Sequence, residues 1–181
     1  MIAMPWAASA AVQSSSWLAS LGHLLTGMRL ASFPFIFGWI VEGRSELAAA
    51  AMGVAMLTDW TDGSLVRRFG RPSSAGAWFD VWADFLVIMS AFIAFAVAGI
   101  LSAWPLVWIG GSFVVFIATS GLGPSIYDPL GRYIGGILMA AALAVLLAQD
   151  FAIQQWLEWT VMIACLATMA ARAAHVVART P

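Results

Sequence analysis

Residues 59–84 read DWTDGSLVRRFGRPSSAGAWFDVWAD, and they hold four of the chain's nine acidic residues. Around them the chain is nearly bare of charge. Its 181 residues are 62% hydrophobic and 9% charged, with ten tryptophans and no lysine. Globular domains carry about 25% charge, and a water-soluble fold of this length could not hide so much apolar surface. The bilayer is therefore the expected solvent. A net charge of −1 gives no electrostatic footprint for nucleic acid, so none is expected as a partner. The opening MIAMPWAASAAVQSSSW lacks the basic segment of a secretory signal and reads as mature protein. Cys165 is the single cysteine, which excludes a disulfide framework and predicts a buried, inert thiol.

Working outward from the quoted stretch, apolar runs near the ~20 residues needed to cross a bilayer fall at 24–41, 47–66, 77–101, 105–121, 132–148 and 153–176. Gly70 and Pro72 in GRPSS break the chain between the second and third runs. The expected fold is an all-α integral membrane protein of six transmembrane helices, forming one domain over 1–181. Within it, 24–176 is the six-helix part and 1–22 a juxtamembrane segment. Trp6, Val12, Trp17, Leu18 and Leu21 predict an N-terminal helix lying in the interface. With both termini cytoplasmic, Arg29, Arg67, Arg68, Arg71, Arg132, Arg172 and Arg179 lie at cytoplasmic ends and Arg44 outside, a strong positive-inside bias. Trp39, Trp104, Trp108, Trp156 and Trp159 fall near span ends and read as an interfacial belt. Asp128 and Asp150 fall in loops and are expected to be solvated.

The second run offers only Leu47 to Leu57 before Asp59, about half of a ~30 Å hydrocarbon core. Asp59 and Asp62, at i, i+3, share one helical face, and Asp80 and Asp84, at i, i+4, share a face of the next helix. In an antiparallel hairpin turning at 70–72, both pairs lie roughly 12 Å from the tip. Four carboxylates then converge on one small volume. Each Asp at a helix centre costs ~2.5–3.5 kcal/mol on insertion scales, and like charges raise one another's pKa unless a cation neutralises them. Oxygen donors without His or Cys suit a hard divalent ion, Mg²⁺ or Mn²⁺. Gly63 and Gly76 remove side chains beside the aspartates, and Arg67, one turn beyond Gly63, presents a planar fork to a phosphate.

These residues resemble the signature of the CDP-alcohol phosphotransferases, D-x2-D-G-x2-A-R-x8-G-x3-D-x3-D. Asp59, Asp62, Gly63, Arg67, Gly76, Asp80 and Asp84 stand in register, and Val66 replaces the usual alanine. Outside the signature, Thr26 and Arg29 in LTGMRL resemble the T-x-x-R of the family's first helix, where His23 stands for a common Asn. GRYIGG places Arg132 where the family often has Lys. The resemblance implies a transferase that moves a phosphatidyl group from a CDP-linked lipid such as CDP-diacylglycerol to the hydroxyl of a small alcohol, releasing CMP. It implies that Asp59, Asp62, Asp80 and Asp84 hold Mg²⁺ or Mn²⁺, and that Asp59, Gly63, Arg67 and Gly76 hold the CDP moiety. Asp84 is implied as general base, with Asp80 beside it, and Thr26, Arg29 and Arg132 as acceptor or phosphate contacts. The site would face the cytoplasm from the inner membrane, in a homodimer, the state common in the family.

Glycerol 3-phosphate is the first acceptor to consider. Inositol phosphate, serine, choline or a lipid alcohol are alternatives. Relatives that use phosphorylated acceptors often carry Lys or Arg after the fourth aspartate, whereas this chain has Phe85, so Arg29, Arg71 and Arg132 would supply the charge. A membrane prenyltransferase also uses aspartates for a diphosphate, but with two motifs well apart along the chain. A cation carrier would leave Gly63 and Arg67 without a purpose.

Overall fold

The computed structural model describes residues 24, 26–69, 74–120, 131–148 and 150–177. All regular structure among them is helical. We label the helices α1 (Thr26–Val41), α2 (Ser45–Phe69), α3 (Ser74–Val97), α4 (Trp104–Ser120), α5 (Gly131–Leu147) and α6 (Phe151–Val177). The expected interfacial helix, His23 and Asp128 lie outside the described residues, as do the turn at 70–73 and the loop at 121–130.

The helix ends have local causes. Gly43 at φ 73° closes α1: Arg44 N donates to Trp39 O at 2.7 Å and Gly43 N to Ile40 O at 3.1 Å. Such a left-handed glycine cap satisfies carbonyls that the helix leaves open. Gly99, at φ 70°, repeats the device, with Ile100 N bonded to Phe95 O at 2.9 Å and Gly99 N to Ala96 O at 3.2 Å. This corrects the third apolar run, expected to stay helical to Leu101: the helix stops at Val97 because the next turn needs a left-handed residue. Asp150 does more than face water, since its Oδ1 accepts from Ala152 N at 2.8 Å and caps α6. Ser102 Oγ accepts from Trp104 N at 3.3 Å at the start of α4, and Glu158 on α6 accepts from the same serine's hydroxyl.

Alternate turns of the helices supply the core. Ile36 and Ile40 come from α1, Ala48, Met52 and Ala55 from α2, and Val87, Ala91 and Ala94 from α3. Met139, Ala142 and Val145 come from α5, and Val161 and Cys165 from α6, the thiol buried as expected. The alanines let backbones approach closely, as membrane bundles require. Helix α5 sits centrally, packed on α2, α3 and α6, while α4 lies against α6 and α3. Outward, α3 to α6 expose large apolar side chains, among them Val97, Val114, Ile137 and Ile163. Two stretches, Trp78–Val97 and Phe151–Ala174, are long and apolar enough to cross a membrane. The apolar helices α4 and α5, at 17 residues each, are shorter, about 25 Å.

Candidate active site

Helix α1 reaches the aspartates first. Arg29 is 2% exposed, and its Nη1 lies 3.2 Å from Asp59 Oδ1 of α2 and donates to Asp84 Oδ1 of α3. One turn earlier, Thr26, 1% exposed, donates its hydroxyl to Asp80 Oδ1 at 2.5 Å. Burying a guanidinium demands charged partners, and here two carboxylates from separate helices meet on one nitrogen. Helix α2 can carry polar residues at this depth partly because Thr58 and Thr61 return their hydroxyls to Ala55 O and Leu57 O, at 2.8 and 3.0 Å.

Behind Asp59 and Asp84 opens a cavity of about 360 Å³ between α3, α4, α5 and α6. On its α5 side is Gly135, where a Cβ would lie 3.9 Å from Asp84 Oδ2. Its α3–α4 wall is aromatic: Phe85 stacks on Phe113 with ring centroids 3.7 Å apart and planes 6° from parallel, and Phe113 is followed by Phe116 at 6.3 Å. Arg172 of α6 also lines the cavity, with its guanidinium carbon 4.5 Å from the Phe116 ring centre and a hydrogen bond donated to Thr119 Oγ1 at 2.8 Å. The cavity lining thus combines two carboxylates, a buried cation and apolar side chains.

The sequence-predicted residues distribute unevenly over this site. Asp59 and Asp84 are brought together through Arg29, and Asp80 is held next to them by Thr26. Thr26 and Arg29, read from sequence as acceptor or phosphate contacts, are turned to the aspartates. Asp62, Gly63 and Arg67 lie on α2, Gly76 on α3 and Arg132 on α5; their side-chain environments fall outside the described residues. Among the described residues no three acidic, histidine or cysteine side chains are grouped closely enough to hold a metal ion. The carboxylates gathered here offer only oxygen, the donor type that a hard divalent cation takes, and Asp59 and Asp84 are paired with Arg29. Trp78 and Trp82, beside the aspartates in sequence, pack edge-on to Phe116 and Phe113 of α4, at 5.9 and 4.9 Å.

Sequence reading missed Arg172 as part of the site and took it only as a cytoplasmic charge. The signal was present: Val161, Cys165, Thr168 and Arg172 recur at helical spacing, and all four are buried.

Fold, carboxylate-lined cavity and signature agree with the sequence comparison. Residues 19–171 match the CDP-alcohol phosphatidyltransferase family, and the chain belongs to it. A protein of Mycobacterium tuberculosis named probable phosphatidylglycerophosphate synthase is 35% identical over 98 residues, 51% of this chain and 47% of its own length. A Blochmanniella floridana protein named CDP-diacylglycerol–glycerol-3-phosphate 3-phosphatidyltransferase is 34% identical over 61 residues, 34% of this chain and 32% of its own length. The chain thus spans about half the length of the mycobacterial relative it matches, and about a third of the other. Two helices long and apolar enough to cross a membrane accord with membership of this membrane-bound family.

Proposed function

We propose that the chain is a single six-span domain that transfers a phosphatidyl group from CDP-diacylglycerol to glycerol 3-phosphate at the cytoplasmic face, releasing CMP. The observation that carries this reading is the shared cavity of Asp84 and Arg172. A hydroxyl beside Asp84 and a phosphate beside Arg172 are the two ends of a small phosphorylated alcohol. The Blochmanniella floridana relative, named for glycerol 3-phosphate, supports the same acceptor.

In this mechanism Asp84 accepts the proton as the acceptor oxygen bonds to the lipid-side phosphorus of the diphosphate, and the bond from that phosphorus to the CMP oxygen breaks. Asp59, Asp62, Asp80 and Asp84 would hold Mg²⁺ or Mn²⁺, which supplies charge neutralisation for the diphosphate and the leaving CMP. Asp59, Gly63, Arg67 and Gly76 are assigned to the CDP moiety, with Arg67 on a phosphate and the two glycines leaving room for it. Arg132 and Arg172 are assigned to the acceptor's anion, and the apolar walls exclude water that would otherwise hydrolyse the donor. Both termini lie in the cytoplasm, and the protein works as a homodimer.

A second reading has an observation behind it. Phe85, stacked on Phe113 directly after Asp84, lines the cavity with apolar surface where a phosphorylated acceptor would gain from a cation. That favours an uncharged or lipid alcohol. Purified protein with Mn²⁺ and CDP-diacylglycerol, tested for CMP release against glycerol 3-phosphate, inositol phosphate, serine and a long-chain alcohol, separates the two. Release with glycerol 3-phosphate supports the first reading, release with the long-chain alcohol alone supports the second, and no release with any acceptor removes both.

A further inference from the structure

The aspartates come from α2 and α3, yet what joins them is a residue of α1. Arg29 Nη1 contacts Asp59 Oδ1 and Asp84 Oδ1 together, so one nitrogen sets the spacing between two helices. Because Asp84 gives Oδ1 to Arg29, its other oxygen, Oδ2, is the one near Gly135, a residue that lines the same cavity. Thr26, on the same face of α1, holds Asp80.

We propose that Arg29 is the positioning residue of this site. It is a counter-cation resident on α1 that gathers Asp59 and Asp84 before any metal arrives, and that turns Asp84 so Oδ2 faces the acceptor cavity. The inference rests on the metal and proton-accepting roles assigned above to the aspartates. Two like charges at this depth repel one another unless a cation lies between them. Arg29 supplies that cation permanently, so the carboxylates stay assembled between turnovers, when metal and product have left. Both contacts fall on Nη1, carried at the edge of a rigid planar guanidinium, a position that lysine's compact ammonium on a flexible stem does not reproduce. Arg29 therefore acts on the reaction through Asp84 and touches no reacting atom.

The test uses the full chain in detergent, with thermal unfolding followed in EDTA and in saturating Mn²⁺, and with steady-state kinetics. Arg29→Gln leaves the site one positive charge short. Its midpoint in EDTA falls below that of the wild type, and Mn²⁺ raises it by more than it raises the wild type. Arg29→Lys keeps the charge and loses the rigid planar group that carries Nη1. Its midpoint and its response to Mn²⁺ stay close to wild type, while kcat drops about tenfold or more because the base is misaimed, and KM for the CDP-lipid is unchanged. Equal midpoints and equal Mn²⁺ shifts in Arg29→Gln and wild type overturn the counter-cation role, and a wild-type kcat in Arg29→Lys overturns the orienting role. Should Arg29→Gln fold only with Mn²⁺, the proposal is supported; should it fold under neither condition, the kcat of Arg29→Lys decides. A wild-type protein whose midpoint is indifferent to both Mn²⁺ and EDTA removes the metal reading itself, whereas a normal wild-type shift matched by Arg29→Gln removes only the part played by Arg29.

Discussion

Phe85 of α3 lies flat on Phe113 of α4, their ring centres 3.7 Å apart, one residue past the carboxylate of Asp84. The stack joins two helices at the wall of the cavity. Replacing Phe85 by Leu keeps most of the buried apolar volume and loses the ring contact. The expected cost is about 1 kcal/mol of stability, read as a lower midpoint of thermal unfolding in detergent.

Asp84→Asn removes the proposed base and keeps the side chain's size. CMP release should fall by about 10²–10⁴-fold, the usual contribution of a positioned base, while the protein still binds CDP-diacylglycerol. Residual activity within a factor of two of wild type would remove Asp84 from the chemistry.

Arg172→Gln tests the proposed contact of Arg172 with the acceptor's phosphate. A charged hydrogen bond is worth about 1.5–3 kcal/mol, so KM for glycerol 3-phosphate should rise by roughly 10- to 100-fold. KM for the CDP-lipid should not move. An acceptor titration checks both, and a parallel rise in the two KM values would point to general damage instead.

The glycines divide into two groups with opposite expectations. Gly43 and Gly99 adopt positive φ with open space around the missing Cβ, so alanine at either costs about 1–2 kcal/mol through backbone conformation alone. Gly53 sits inside α2 with nothing within 4 Å of its missing Cβ, so Gly53→Ala should raise stability by about 0.5–1 kcal/mol. Thermal midpoints of the three variants, compared side by side, decide it.

Much of the helix order was legible in the sequence because apolar runs and their Gly and Pro breaks are local signals. The start of α2 and the ends of α1 and α4 fall within a few residues of expectation. The end of α3 was not legible, since Leu101 continues an apolar run and the need for a left-handed residue at Gly99 does not show in composition. The pairing of Asp80 with Asp84 on one face follows from helical spacing. That Arg29 joins Asp84 to Asp59 does not, because 55 residues separate Arg29 from Asp84 and α1 must dock before they meet. The stacking of Phe85 and the approach of Arg172 to Phe116 are likewise products of packing between helices, and periodicity marks only that such faces are buried.

The central claim is transfer onto glycerol 3-phosphate at the Asp84 cavity, and one measurement meets it directly. Radiolabelled glycerol 3-phosphate is incubated with CDP-diacylglycerol, Mn²⁺ and either wild-type protein or Asp84→Asn, and the organic-soluble label is counted beside the CMP released. Label should enter the lipid fraction in step with CMP for the wild type, and both should fall by about 10²–10⁴-fold for Asp84→Asn. Absence of label from the lipid fraction with the wild type, or equal incorporation by both proteins, would contradict it.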